Sequence, residues 1–404
     1  MDPKELHSVL PHNALQEMKL AFEHQDFVAA AENIKRSLVS LDDIPLNVAV
    51  TGESGSGKST FINVLRGLGD EEEGAAKTGV VETTVVATPY FHPRHRNVVY
   101  WDLPGIETAS FKPSEYLELV KFHQFDFFFI IGSERFRNCH IELAQAINAM
   151  GKKFYFVRTK IDADLNASRR LNPRNYNEEQ ILTQIRENCI KGLFAGGILC
   201  PRVFLLSSFE LEKYDFCLMQ TTLERELPSH KRHVFLLSLP NIYTQALKMK
   251  SEAFKNQIWK HALASAAKAA LPIPGLLPGS DIDYLVKVMK EYKGAFGMDQ
   301  TSLAHLAQTF DKDISELRSV VRSQLTLQEI TWELVESLLK RRELTAAALM
   351  VTQYAAGTVP MLGSVAAGGV AFGTAFWLLY SFLTDVAEDA GRVLSKVLEN
   401  TCQY

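Results

Sequence analysis

The stretch Asn47-Val48-Ala49-Val50-Thr51-Gly52-Glu53-Ser54-Gly55-Ser56-Gly57-Lys58-Ser59-Thr60-Phe61-Ile62-Asn63-Val64-Leu65 decides the fold. It reads as an apolar strand, a glycine-rich loop and the start of an amphipathic helix, the context that a phosphate-cradling loop requires. Gly52, Gly57, Lys58 and Ser59 fill every fixed position of that loop. In such a loop, backbone N–H groups face the β-phosphate, the lysine reaches the β and γ groups, and the serine hydroxyl serves Mg²⁺. Glycine is needed because bare backbone must approach phosphate closely, often at φ values a Cβ would forbid. The helix that starts here turns its positive end toward the anion. Gly52, Glu53, Ser54, Gly55, Ser56, Gly57, Lys58, Ser59 and Thr60 are therefore the expected phosphate site, with Lys58 also the charge-stabilising catalytic cation.

Outward from that stretch, 46–50, 98–102, 127–131, 154–158 and 203–207 are nearly unbroken apolar runs, as strands buried on both faces should be. Helical segments separate them. The alternation predicts an α/β P-loop fold, a doubly wound and mainly parallel sheet whose ligands sit beyond the carboxyl ends of the strands. The polar motifs fall at those ends. Trp101-Asp102-Leu103-Pro104-Gly105 follows the second run: Asp102 can hold Mg²⁺ through water, and the Gly105 N–H can sense the γ-phosphate. Thr159-Lys160-Ile161-Asp162 closes the fourth run and chooses the base. A carboxylate accepts two N–H bonds, which matches the N1–H and exocyclic amine of guanine and repels the adenine edge. Asp162 is thus the specificity residue, and Lys160 would lay its aliphatic stem on the base plane. Ser207-Ser208 offers a weaker signal, a backbone N–H for guanine O6.

With 404 residues, the chain is too long for one core, and two domains are expected. Charge is nearly balanced, 43 basic against 47 acidic residues, with no basic block interleaved with aromatics, so nucleic acid is not an expected partner. The five cysteines are scattered without metal-ligand pair spacing, which suggests a reducing compartment. The start, Met1-Asp2-Pro3-Lys4, has no apolar signal core, and Asp2 stands where N-myristoylation needs glycine.

Residues 13–22 and 26–41 carry helical spacing but cannot close a core alone. They are expected to pack with a helical C-terminal part, giving segments 1–42 and 229–404 of one all-α domain around a GTP-binding domain at 43–228. In the C-terminal part, helices are read at 241–260, 261–270 and 331–354, with Asp281 capping another. No charged residue occurs from 344 to 384. Length permits a membrane span, but Ala, Gly and Thr dominate, Gly357 and Pro360 interrupt, and acidic residues follow. A buried helical hairpin is therefore expected ahead of surface insertion or a span.

These motifs resemble those of the interferon-inducible immunity-related GTPases. The likeness is carried by the Gly-Lys-Ser loop, Val81-Glu82-Thr83-Thr84, Trp101-Asp102-Leu103-Pro104-Gly105, Phe154-Tyr155-Phe156-Val157-Arg158-Thr159-Lys160-Ile161-Asp162 and Leu227-Pro228-Ser229-His230-Lys231-Arg232-His233. The resemblance implies GTP and GDP as ligands with Mg²⁺, GTP-dependent self-assembly through the nucleotide face, contact with related GTPases and membrane lipids, and a cytoplasmic protein recruited to vacuoles that hold pathogens. It also marks Glu82 and Arg135 as groups that complete catalysis, and Thr78-Gly79 as the segment meeting ribose and phosphate. Thr83 and Thr84 are alternative suppliers of the second Mg²⁺ hydroxyl; Thr84 is the ligand named here, although the sequence does not choose between them.

Two departures stand out. Thr159 replaces the usual asparagine, so some bracing of the loop is expected to come from elsewhere. Ile106 follows Gly105 where many small GTPases place a water-orienting glutamine, so intrinsic hydrolysis should be slow. Two function classes follow: an assembling GTPase that remodels membranes, or a slow switch whose GTP state recruits effectors.

Overall fold

The computed structural model describes residues 35, 36, 38, 44–79, 86–106, 113–266, 281–310, 312–341 and 366–398. Alternation of apolar strands and amphipathic helices produces one six-stranded sheet in the order β2-β3-β1-β4-β5-β6. β1 (Leu46–Gly52) pairs in parallel with β3 (Val98–Asp102) on one side and with β4 (Phe127–Gly132) on the other. β4 pairs with β5 (Lys153–Arg158), and β5 with β6 (Val203–Leu205), also in parallel. Every residue of β4 is buried, as a central strand covered on both faces must be. Because the chain leaves β1 toward β3 and later returns to β4 on its other side, the loop after β1 opens at a topological switch point, where such sheets bind ligands.

Two details differ from the sequence reading. β6 ends at Leu205 rather than at Ser207. β2 (Thr88–Phe91) is an antiparallel edge strand that was not expected. Its proline and its single hydrogen-bonded edge explain why Thr-Pro-Tyr-Phe does not read as a strand.

Helices α1 (Lys58–Arg66), α2 (Pro113–Leu119), α3 (Asn138–Ala149), α4 (Ile161–Leu171), α5 (Glu178–Ala195), α6 (Phe216–Glu226) and α7 (Ser229–Leu237) complete the first unit, Asp43–Ala246. The boundary expected at 228 is corrected by these contacts, because residues 229–246 belong with the sheet. Lys231 pairs with Asp126 at 2.5 Å, and the same carboxylate accepts the Asn47 N–H that opens β1. Ser238 hydrogen-bonds Tyr100, and burial raises that phenol to about 12. Phe216 meets Tyr243 edge-on.

The second unit comprises Leu247–Tyr404 with Met1–Asp42. α8 (Thr244–Lys255) and α9 (Ile258–Ala266) replace the continuous helix expected over 241–260, the break falling at Asn256-Gln257. α10 (Ile282–Ala295), α11 (Gln300–Thr309), α12 (Ile314–Ser319), α13 (Gln324–Leu327) and α14 (332–341) follow, and α15 (Ala366–Leu398) packs on α9 and α10. Asp281 caps α10 as expected, its carboxylate accepting the Tyr284 N–H, and it also takes the Lys35 ammonium at 2.9 Å. α15 buries Phe376, Leu379, Phe382, Leu383, Val386 and Val393 along one stripe. Its buried Asp389 accepts backbone N–H bonds from Arg322 and Ser323. Among the described residues no helix is long and apolar enough to cross a membrane. The helices expected at 13–22 and 26–41 lie outside the described residues apart from 35, 36 and 38, as do 342–365, which include most of the expected hairpin.

Candidate active site

The loop after β1 is shaped by a close backbone approach. A Cβ on Gly52 would lie 2.0 Å from the Ile131 carbonyl oxygen of the neighbouring strand, and Gly52 has φ 142. Gly57 caps α1 in the left-handed region, at φ 87, and turns the first N–H groups of the helix toward the loop. Lys58 is buried and its Nζ donates to the carbonyls of Gly52 (3.3 Å) and Glu53 (3.0 Å), so the ammonium lies across the mouth of the cradle. Ser56 closes the turn by donating its Oγ proton to the Glu53 carbonyl at 2.7 Å. Ser54 and Gly55 are exposed at the tip, and Thr60 is half-buried in the first turn of α1.

The base loop is bonded directly to this cradle. Thr159 Oγ1 donates to the Ser56 carbonyl at 2.7 Å, and its N–H bonds Gly132. The bracing expected from elsewhere is thus supplied by Thr159 itself, because a short hydroxyl suffices where the two loops approach this closely. Lys160 Nζ donates to the Gly55 carbonyl at 2.8 Å, a second strap between the loops. Lys160 sits in the left-handed region at φ 57, a conformation costing a non-glycine residue about 1–2 kcal/mol. Asp162 lies in the first turn of α4, with a buried Oδ1 that has no hydrogen-bond partner among the described residues. A buried carboxylate oxygen left in this state fits a ligand that donates N–H groups, as the guanine edge does. Ser207 is buried, its Oγ accepting the Phe209 N–H, and Ser208 is half-buried beside it.

Ser59 Oγ donates to Asp102 Oδ2 at 2.7 Å, and Asp102 is fully buried. A hydroxyl and a carboxylate converging from α1 and β3 are the donor set that suits Mg²⁺, a hard cation that takes oxygen ligands. After Asp102 the chain crosses Pro104 and Gly105 to Ile106, whose N–H bonds the Gly52 carbonyl at 3.1 Å. The Ile106 side chain is 2% exposed and packs among Leu103, Tyr116 and Leu117, so the position after Gly105 presents backbone to the site and no polar group. Tyr116 braces this corner, its hydroxyl bonding Thr51 Oγ1 and the Pro104 carbonyl.

Thr78 and Gly79 are exposed, while Glu82, Thr83 and Thr84 lie outside the described residues. Arg135 is exposed, with no hydrogen bond or ion pair among the described residues.

Its neighbour Arg137 was not foreseen. Arg137 Nε lies 3.2 Å from Glu53 Oε1, and the Cys139 thiol and His140 Nε2 face the same oxygen at 3.7 and 3.6 Å. Spacing hid this group, because Glu53 and the 137–140 segment are far apart in sequence. Glu, Cys and His converge as metal ligands can. However, the shared oxygen already holds a guanidinium, and His140 Nδ1 accepts the Arg137 N–H, which leaves the ring proton on Nε2. The group therefore clamps the first variable residue of the phosphate loop to the start of α3. Burial lowers His140 from 6.5 to about 4, aided by Arg137 and Arg158, so the ring is neutral near pH 7.

A strand-loop-helix cradle opening at the switch point, bonded to a loop with an aspartate suited to guanine, defines a P-loop GTPase. The chain belongs to the interferon-inducible GTPase family: the family model described as Interferon-inducible GTPase (IIGP) matches residues 12–397. It is 43% identical to Interferon-inducible GTPase 5 of Bos taurus, covering 95% of this chain and 82% of that protein. It is 39% identical to Interferon-gamma-inducible GTPase 10 of Mus musculus, over 96% of this chain and 90% of the relative. Among solved structures, Toc33 from Arabidopsis thaliana in complex with Mg²⁺ and GMPPNP is 18% identical, with a TM-score of 0.32, covering 46% of this chain and 81% of that one. That likeness is too low to bear on the chemistry of this site.

As a GTPase the protein hydrolyses GTP. Lys58 and the α1 N-terminus bring a cation and a positive helix end to the cradle, the kind of groups that stabilise phosphate charge in a transition state.

Proposed function

We propose that this GTPase self-assembles through its nucleotide face when GTP is bound, with turnover completed in trans, and that it acts on membranes of pathogen-containing vacuoles from a cytoplasmic pool. The observation that carries the reading is Ile106: with its side chain in the core, the usual water-orienting position is apolar. A missing group is readily supplied by a second molecule, and the exposed Arg135 is a cation available for that purpose. Glu82 is the carboxylate assigned to position water. Mg²⁺ would be held by Ser59 and, through water, by Asp102, with Thr84 as the switch ligand; when bound it neutralises charge on the β and γ phosphates. Family membership supports the immune role, and the membrane step rests on the same resemblance.

Light scattering on adding GTP, paired with liposome flotation in the GTP and GDP states, tests both halves. Growth of scattering together with flotation only in the GTP state is expected. Tight GTP binding with neither response would overturn the assembly and leave a slow switch that recruits effectors.

A further inference from the structure

Arg158 ends β5 with its side chain 7% exposed, and its two arms bracket the base-reading residue. Nη1 donates to the Thr159 carbonyl at 2.8 Å, before Asp162, and Nη2 donates to Asp164 Oδ2 at 2.5 Å, after it. The turn between them contains the left-handed Lys160, and such a conformation persists only where surrounding bonds over-determine it. The ties from other elements all fall early in the turn, Thr159 to Ser56 and Gly132, Lys160 to Gly55 and Ile161 to Leu206, and past Asp162 the Ala163 and Asp164 N–H groups bond back to the Lys160 carbonyl. Among the described residues, Arg158 is the one side chain bonded on both sides of Asp162.

We infer that Arg158 is a positioning residue for base choice: its guanidinium fork fixes the first turn of α4 against the Thr159 peptide, so that the Asp162 carboxylate meets both guanine donors at once. The inference rests on the guanine reading of Asp162. A planar fork suits the task, because it ties two acceptors in fixed relative positions, which an ammonium cannot do. A buried guanidinium is costly, and apolar residues packed in place of such a pair are often as stable, which favours a role in specificity over bulk stability.

The test compares GDP with IDP, which lacks the exocyclic amine and so forgoes one of the two Asp162 bonds. Binding of each to the full chain is measured by calorimetry. The unmodified protein should prefer GDP by roughly tenfold or more. Arg158→Met should bring the ratio within about threefold by weakening GDP more than IDP, and Arg158→Lys should fall between. Asp164→Asn, near-isosteric, should move the ratio the same way by less, and it decides the matter if a thermal melt shows that Arg158→Met does not fold. Equal weakening of GDP and IDP in the folded variants, or an unchanged ratio in them, overturns the inference while leaving Asp162 in place. Equal affinity of the unmodified protein for GDP and ADP overturns the guanine reading, and this inference with it.

Discussion

The floor and the rim of the nucleotide site are built differently. On the floor, the phosphate loop is cross-bonded to the base loop by Thr159 and Lys160 and clamped to the start of α3 through Glu53, and Lys58 and Thr159 are nearly buried. At the rim, Thr78, Gly79 and Arg135 are exposed, and Ile106 turns inward. A preorganised floor can bind a ligand without reorganising, whereas on the proposed reading the apolar Ile106 leaves part of the catalytic set to be brought in. The contrast separates two kinds of loss: floor variants should lose nucleotide binding or, at Lys58, the charge stabilisation that turnover needs, whereas rim variants should lose rate with affinity kept.

The largest effects belong to the floor. Lys58→Ala removes the cation over the phosphates and should cut GTP hydrolysis on the order of a hundredfold or more, measured as phosphate release at saturating GTP. Normal hydrolysis by that variant would mean the loop is not the site. Asp162→Asn exchanges an acceptor for a donor, so GTP binding should fall by roughly a hundredfold while xanthosine nucleotides gain affinity in competition binding. An unaltered preference for GTP would remove Asp162 from base reading.

A smaller loss is expected at Thr159→Val, which keeps shape but leaves the Ser56 carbonyl without its hydroxyl donor. GDP affinity should drop by about 1–2 kcal/mol, read by calorimetry. No change would show that the two loops are held together without this bond.

The effect least tied to the nucleotide concerns pH. His140 is depressed to about 4 in the fold from 6.5, so its neutral burial contributes stability above 6.5 that is lost as pH falls toward 4. Between pH 7 and pH 5 this amounts to about 2 kcal/mol at most. Urea unfolding of the unmodified protein should therefore show a steeper loss over that interval than His140→Gln. Equal slopes would mean that the imidazole is not held neutral.

The legible part of the molecule was the part in which one residue type has one use. The phosphate loop and the aspartate after Thr159-Lys160 announce themselves because glycine, lysine and carboxylate are each required by ligand geometry. The five parallel strands show as apolar runs because they are buried on both faces. Edge strand β2 did not show, since half its residues face solvent and one is proline. The Arg137-Cys139-His140 clamp on Glu53 was also hidden, because pairing between segments some 85 positions apart leaves no local pattern; Glu53 and Cys139 differ by 86 in sequence. The boundary after α7 was misplaced for a related reason: helical periodicity says that residues form a helix, not which core it covers.

The claim that the rim is completed by a second molecule is tested most directly by GTPase rate per molecule across a hundredfold dilution, with Arg135→Ala measured in parallel. The account predicts that specific activity rises with protein concentration, and that Arg135→Ala flattens the rise while GTP affinity stays nearly intact, because the lost interaction belongs to the transition state of the assembly. A specific activity independent of concentration would contradict it.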